Sequence, residues 1–314
     1  MRTLIVLFVV CAVAEAHDAG QNDVAASTDA AFSSTQVWKI GIILTAQSGP
    51  SRGVFACTPI PEELPEQQVR IVDRNVSSEL LKLKFRNLGS GARQMVVNVP
   101  RIAAGDSVRA VLTFEISKRT IPAPVETDDY QPSHRTSRDL QRYLRPSPFI
   151  ESRHPEIVSL ARTFERPSES TWSRIESMYD WVRENVIYVD SDLKGALAAL
   201  QDGNGDCEEM TSLFVALCRA NNIPARTVWV PGHCYPEFYL LDETGQGHWF
   251  PCQAAGDRAF GEMVEPRPIL QKGDSFRVPG DPLKQRLRYA QLVGSQPGSA
   301  LVHPHVEIIH QQLD

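Results

Sequence analysis

Two short stretches of the sequence hold residue types that do covalent chemistry together. The first is Gly203-Asn204-Gly205-Asp206-Cys207-Glu208-Glu209, where a loop gives way to a helical pattern. Its glycines permit a tight, exposed approach, and Asp206 can cap the helix that Cys207 opens. A thiol there meets the positive end of the helix dipole and unpaired N–H groups, which favour the thiolate and can hold an oxyanion. Glu208 and Glu209 oppose ionisation, so the sulfur needs an imidazole nearby. His233 supplies one, at the start of a strand running to Leu241 with Tyr235 and Glu237 on its face. Trp249-Phe250-Pro251-Cys252-Gln253 is the partner strand of a hairpin turned through residues 242–247, which returns Gln253 to the far nitrogen of His233. A cysteine at a helix start or a single strand histidine is ordinarily structural. Their co-occurrence gives nucleophile, base and orienter.

The elements that must position these residues follow from periodicity. Trp38–Leu44, Leu81–Phe85, Met95–Val99 and Val108–Ile116 are short β runs separated by turn residues, which predicts an antiparallel β-sandwich over 36–119. Residues 120–142, with Pro122, Pro124 and Pro132 among acids, read as a linker. Helical spacing takes over from about residue 150. It predicts helices at Pro155–Phe164, after an N-cap at Ser170, and from Cys207 to Ala220. Strands return at Arg226–Val230, His233–Leu241 and His248–Gln253. The catalytic domain is expected over 143–280, with 281–314 a C-terminal extension of open structure.

The ordered set Gly205-Asp206-Cys207, Leu213 to Arg219, Asn222 to Arg226, His233-x-Tyr235-x-Glu237-x-Tyr239-Leu240 and Trp249-Phe250-Pro251 closely resembles the core of the bacterial transglutaminase-like superfamily. Tyr143-Leu144-x-Pro146, His154-Pro155-x-Ile157 and Ala196–Leu200 fit the same pattern upstream, so the resemblance covers roughly 143–255. It implies an α+β, papain-like core, often preceded by a β-sandwich, that transfers acyl groups through a cysteine thioester. Cys207 would be the nucleophile and His233 the general base and acid. Where the family usually has Asp this chain has Gln253, which can fix the imidazole tautomer without stabilising its charge. Asp257 is a less favoured stand-in, and Tyr235 and Trp249 are the expected substrate contacts. The expected partner is a protein or peptide substrate, with hydrolysis or transfer to an amine left open. The alternative is a weakened or inactive module that binds protein.

Composition bounds the rest. The chain has 314 residues, 42% hydrophobic and 22% charged, with 32 Lys+Arg against 38 Asp+Glu for a net charge of −6. That is globular composition, and with no long basic run it excludes nucleic acid as a first choice of partner. Residues 1–16 have the pattern of a signal peptide ending at Ala14-Glu15-Ala16, and 17–35 read as a flexible arm. The chain is therefore expected to be exported, periplasmic or extracellular, with no integral span. Removing Cys11 from the six cysteines leaves five, so one thiol is unpaired whatever the redox state. Strand parity would set Cys234 and Cys252 on the face opposite His233 and Gln253, within ~4.5–5.5 Å of each other at Cβ. Either a disulfide or two reduced, buried thiols follows. No cofactor is expected: His303, His305 and His310 read as a tail or edge strand rather than a metal site, and no acidic calcium loop occurs. His248 reads as a surface residue of the hairpin, and Asn75-Val76-Ser77 is a weak glycosylation match.

Overall fold

Alternation of apolar and polar residues builds the first half of the molecule. The structure is a computed structural model that describes residues 32, 35–80, 82–89, 91–133, 137–277, 285–295 and 304–313. The expected signal peptide and nearly all of the arm lie outside those residues. Strands β1 (Gln36–Thr45), β2 (Ser51–Ile60), β3 (Gln67–Val76), β4 (Lys82–Asn87), β5 (Arg93–Ile102) and β6 (Ser107–Lys118) run in sequence. On β1, Trp38, Ile40, Ile42 and Leu44 all face inward and are buried, as period two requires. They share one core with Val54, Ala56 and Ile60 of β2, Met95, Val97 and Val99 of β5, and Leu112, Phe114 and Ile116 of β6. Two antiparallel sheets thus pack face to face.

The helical half opens after the linker. It comprises α1 (Arg138–Gln141), a 3₁₀ turn at Arg142–Leu144, α2 (Pro155–Arg162), α3 (Thr171–Asn185), β7 (Ile187–Tyr188), α4 (Ala196–Asp202), β8 (Asn204–Gly205) and α5 (Cys207–Ala220). Strands β9 (Ala225–Val230), β10 (His233–Leu241), β11 (Gly247–Pro251) and β12 (Gln271–Lys272) follow and form an antiparallel sheet in the order β11-β10-β9-β12. α5 is the central element: every side chain from Glu209 to Arg219 is buried. It packs on α2, α3, α4, β9 and β10, with Phe214 and Leu217 in one core with Tyr179, Phe238 and Phe250. The chain is α+β, as expected.

The linker docks on this core instead of standing clear of it. Ile121 bridges Met263, Gln131 bridges Leu241, and the Tyr130 ring packs 4.8 Å from Phe250.

The C-terminal residues correct the expected domain plan. After β13 (Phe276–Arg277) and β14 (Arg286–Leu287), the chain returns to the sandwich as β15 (Leu292–Ser295) and β16 (His305–Leu313). β15 pairs antiparallel with β2, and β16 pairs with β1 along its whole length. The sheets read β16-β1-β6-β3 and β15-β2-β5-β4, so 281–314 is no separate extension where it is described. β16 is an edge strand carrying His305 and His310, and no cluster of potential metal ligands occurs among the described residues.

Candidate active site

The loop before α5 is built around one glycine and one buried acid. Gly203 ends α4 in the left-handed region (φ 65°). β8 then pairs in parallel with β7. A Cβ on Gly205 would come within 2.3 Å of the Glu209 Cβ, so only glycine lets the chain pass over that side chain. Glu209 is fully buried, and its Oε1 accepts from the Lys194 N–H at 2.9 Å and the Gly195 N–H at 3.3 Å. Its Oε2 accepts from the Asp206 N–H at 3.2 Å, while Asp206 Oδ1 accepts from the Glu208 N–H at 2.6 Å. Together they make a capping box, a local sequence signal with reciprocal hydrogen bonds. It sets Cys207 at the first position of α5, where the helix dipole favours a negative sulfur. Burial and the Glu209 side chain push Asp206 up to about 7. Against its burial, the hydrogen bonds to Glu209 hold that carboxyl below its usual range.

His233 begins β10 and reaches the thiol. Its Nε2 lies 2.9 Å from Gln253 Oε1, an arrangement in which Nε2–H donates and Nδ1 is left for the sulfur. Cys207 and His233 line the same cleft. Gln253 is fixed in turn by α3: its carbonyl accepts from Tyr179 Oη at 2.8 Å and Arg183 Nη1 at 2.9 Å, and its N–H donates to the Ala259 carbonyl at 2.8 Å. The Cys207 thiol is lowered to about 4. The Cys234 thiol beside it contributes most, burial opposes, and His233 adds to the lowering. His233 is raised, because its bonds to Cys207 and Gln253 outweigh the burial that disfavours its charge.

The structure brings Cys207, His233 and Gln253 together and separates the other expected residues from them. β10 and β11 pair Phe238 with Phe250 and Glu237 with Pro251. Phe238, Leu240, Phe250 and Cys252 join the core that α5 fills, so the even positions face the helix. Tyr235 and Trp249 are odd and face the other way. Tyr235 is buried with Val228, Val230, Met263 and Ile269, and Trp249 lies under Arg226, 3.8 Å from its guanidinium carbon, and beside Tyr143. Neither lines the cleft at Cys207. The same parity places Cys234 against Cys207: its Sγ donates to the Cys207 carbonyl at 3.5 Å. The Cys252 N–H donates to the Pro236 carbonyl, and all five described cysteines are free thiols. Of the two alternatives for Cys234 and Cys252, the structure has the free, buried thiols, because the register sets Cys252 beside Pro236 and not beside Cys234. His248 is buried too, with Nε2 2.6 Å from Asp242 Oδ2, and Asp257 is exposed.

A cleft of about 560 Å³ opens over the sulfur. Its apolar wall is Leu193, Trp229, Val230, Leu287 and Tyr289, with the Trp229 and Tyr289 rings 5.1 Å apart. Asp206, Glu208, Arg288 and His310 supply polar edges. Arg288 holds Glu208 at 3.2 Å and Ser212 Oγ at 2.8 Å, which ties down a charge beside the thiol. Arg288, Tyr289 and His310 lie beyond the motifs, and nothing local in the sequence marks them as cleft residues. Tyr179 and Arg183, four apart on α3, do have a sequence signal: helical spacing puts them on one face.

Residues 158–254 match the sequence model of the Transglutaminase-like superfamily. No curated protein matches the chain. A candidate cysteine protease from Cytophaga hutchinsonii has a similar solved structure, at TM-score 0.59 and 18% identity, over 90% of this chain and 93% of that one. The periplasmic domain of TgpA from Pseudomonas aeruginosa aligns at TM-score 0.36 and 14% identity, over 72% of this chain and 90% of that one. The Cytophaga likeness bears on the fold alone.

Proposed function

We propose, from the transglutaminase-like core that residues 158–254 form, that the chain is a cysteine-dependent acyl-transfer enzyme acting on amide bonds of proteins or peptides. The observation that carries this reading is a thiol at the first position of a helix that shares its cleft with an imidazole held by Gln253 at 2.9 Å; the lowering of that thiol agrees with it. The Cys207 thiolate attacks the carbonyl carbon, forming the C–S bond. The Asp206 cap takes the Glu208 and Glu209 N–H groups, so of the first-turn donors it is the Cys207 N–H that meets the developing oxyanion. As the C–N bond breaks, the imidazolium of His233 gives its proton to the leaving amine. Water or a second amine then attacks the thioester, His233 takes the attacker's proton, and the thiolate leaves. The signal-peptide pattern in the sequence supports export, and no helix among the described residues is long and apolar enough to cross a membrane.

A protein-binding module is the second reading, favoured by the neutral Gln253 in place of an acid. Incubation with 4-nitrophenyl acetate separates the two. The enzyme releases 4-nitrophenolate and gains one acetyl group on the peptide containing Cys207, seen by mass spectrometry after acid quench. Cys207→Ala removes both signals with the melting temperature unchanged. Release at the wild-type rate from Cys207→Ala overturns the assignment.

A further inference from the structure

The cleft over Cys207 is not made by the transglutaminase-like core alone. Tyr289 packs against the sandwich core and Leu287 belongs to β14, just before the sandwich strand β15, while His310 belongs to β16. On β16, Val306 and Ile308 pack into the sandwich core, and His310 continues that row opposite Ile40 of β1. The row thus ends in a polar ring that lines the cleft. Its Nε2 is buried and has no hydrogen-bond partner among the described residues. Leaving a buried polar nitrogen without a partner is destabilising, and an apolar side chain in that row would avoid it. Burial also lowers the His310 pKa, so near neutral pH the ring is an uncharged hydrogen-bonding group. Leu193, Trp229, Leu287 and Tyr289 surround the same space with apolar surface.

We propose that His310 is a substrate-specificity residue: its ring turns from the position in which Nε2 is shielded and without a partner to hydrogen-bond the backbone of a peptide acyl donor whose large apolar side chain sits against Trp229, Leu287 and Tyr289. This rests on Cys207 being the nucleophile. The sandwich then does more than precede the core, because its last strand reads the substrate while α5 attacks it.

Two alkylating probes test this and separate it from the reading beneath it. Iodoacetamide needs only the thiolate. Benzyloxycarbonyl-phenylalanyl chloromethyl ketone also needs the apolar wall and offers a carbamate carbonyl to His310. Both are followed on full-length protein by peptide mapping of Cys207, in wild type, His310→Leu and His310→Gln. His310→Leu fills the ring's volume without a polar atom and should react about tenfold more slowly with the ketone, the value of one neutral hydrogen bond. Its iodoacetamide rate stays at the wild-type value. His310→Gln keeps a donor and should restore the ketone rate to within about threefold of wild type. Equal ketone rates in wild type and His310→Leu overturn the role of His310 and leave Cys207 as nucleophile. A wild-type Cys207 that neither probe labels faster than the other cysteines overturns the nucleophile, and the proposal with it. A fall of both rates in both variants shows a structural role and also overturns it.

Discussion

His233 is held by a side chain that accepts a hydrogen bond and carries no charge. Gln253 Oε1 at 2.9 Å selects one tautomer and one ring orientation, leaving Nδ1 for Cys207. Any positive charge on the ring is therefore supported by Cys207 and not by Gln253, which fits a lowered thiol beside a raised imidazole. Gln253→Ala should therefore cut the rate of 4-nitrophenyl acetate turnover on the order of a hundredfold, the usual consequence of misplacing a reacting group. Gln253→Asp should retain turnover, since a carboxylate accepts the same bond. A Gln253→Ala enzyme as fast as wild type would show that another group orients His233. Cys207, His233 and Gln253 were legible from residue type and spacing. Cys234 was not, because its role depends on which face of β10 meets α5. That face is set by burying Phe238 and Leu240, not by the site.

At the scale of elements, α5 and the loop before it hold the chemistry in place. α5 was readable to its ends: Asp206 caps it, and its apolar positions recur at helical spacing. What the sequence did not show is that the helix is enclosed on all sides, or that Glu209 supports the loop from inside. Gly205→Ala tests that support. The added Cβ must displace Glu209, from which it would lie 2.3 Å. The expected result is a loss of about 1–3 kcal/mol in urea unfolding, typical of overpacking, together with slower alkylation of Cys207. An unchanged unfolding midpoint would show that the loop does not depend on this passage. β3 is an example of the opposite kind. It is an exposed edge strand with polar residues and a register shift between Ile71 and Asp73, so its alternation is weak in the sequence. Pairing with β6 defines it.

Across the whole molecule, two of the features that join the sandwich to the core stand out, and both connect residues far apart in sequence. One is the return of β15 and β16 to the sheets begun by β2 and β1. Nothing local in 281–314 announces it, since edge strands are recognised by their partners. The other is a buried ion cluster. Lys272 of β12 pairs with Glu237 of β10 at 2.8 Å and with Glu66 from the sandwich, and Glu237 also pairs with Arg226 at 2.7 Å. Lys272→Met keeps the volume but leaves Glu66 without its cation, and should cost about 3–5 kcal/mol, the range for breaking a buried pair. Denaturant unfolding measures it, and a change below ~1 kcal/mol would mean that the cluster does not brace the two halves.

The ionisation of Cys207 is the claim on which the rest depends, and its alkylation rate against pH measures it directly. Iodoacetamide reacts with the thiolate, so the rate constant traces the ionised fraction from pH 3 to 9. With the thiol lowered to about 4, Cys207 should reach half its maximal rate near that pH and stay level to pH 7. The buried Cys57, Cys218 and Cys252, all raised by burial, should remain unlabelled over the same range. A Cys207 rate that rises only near pH ~8.5, as for an unperturbed thiol, would contradict the proposed thiolate–imidazolium pair and the activity proposed from it.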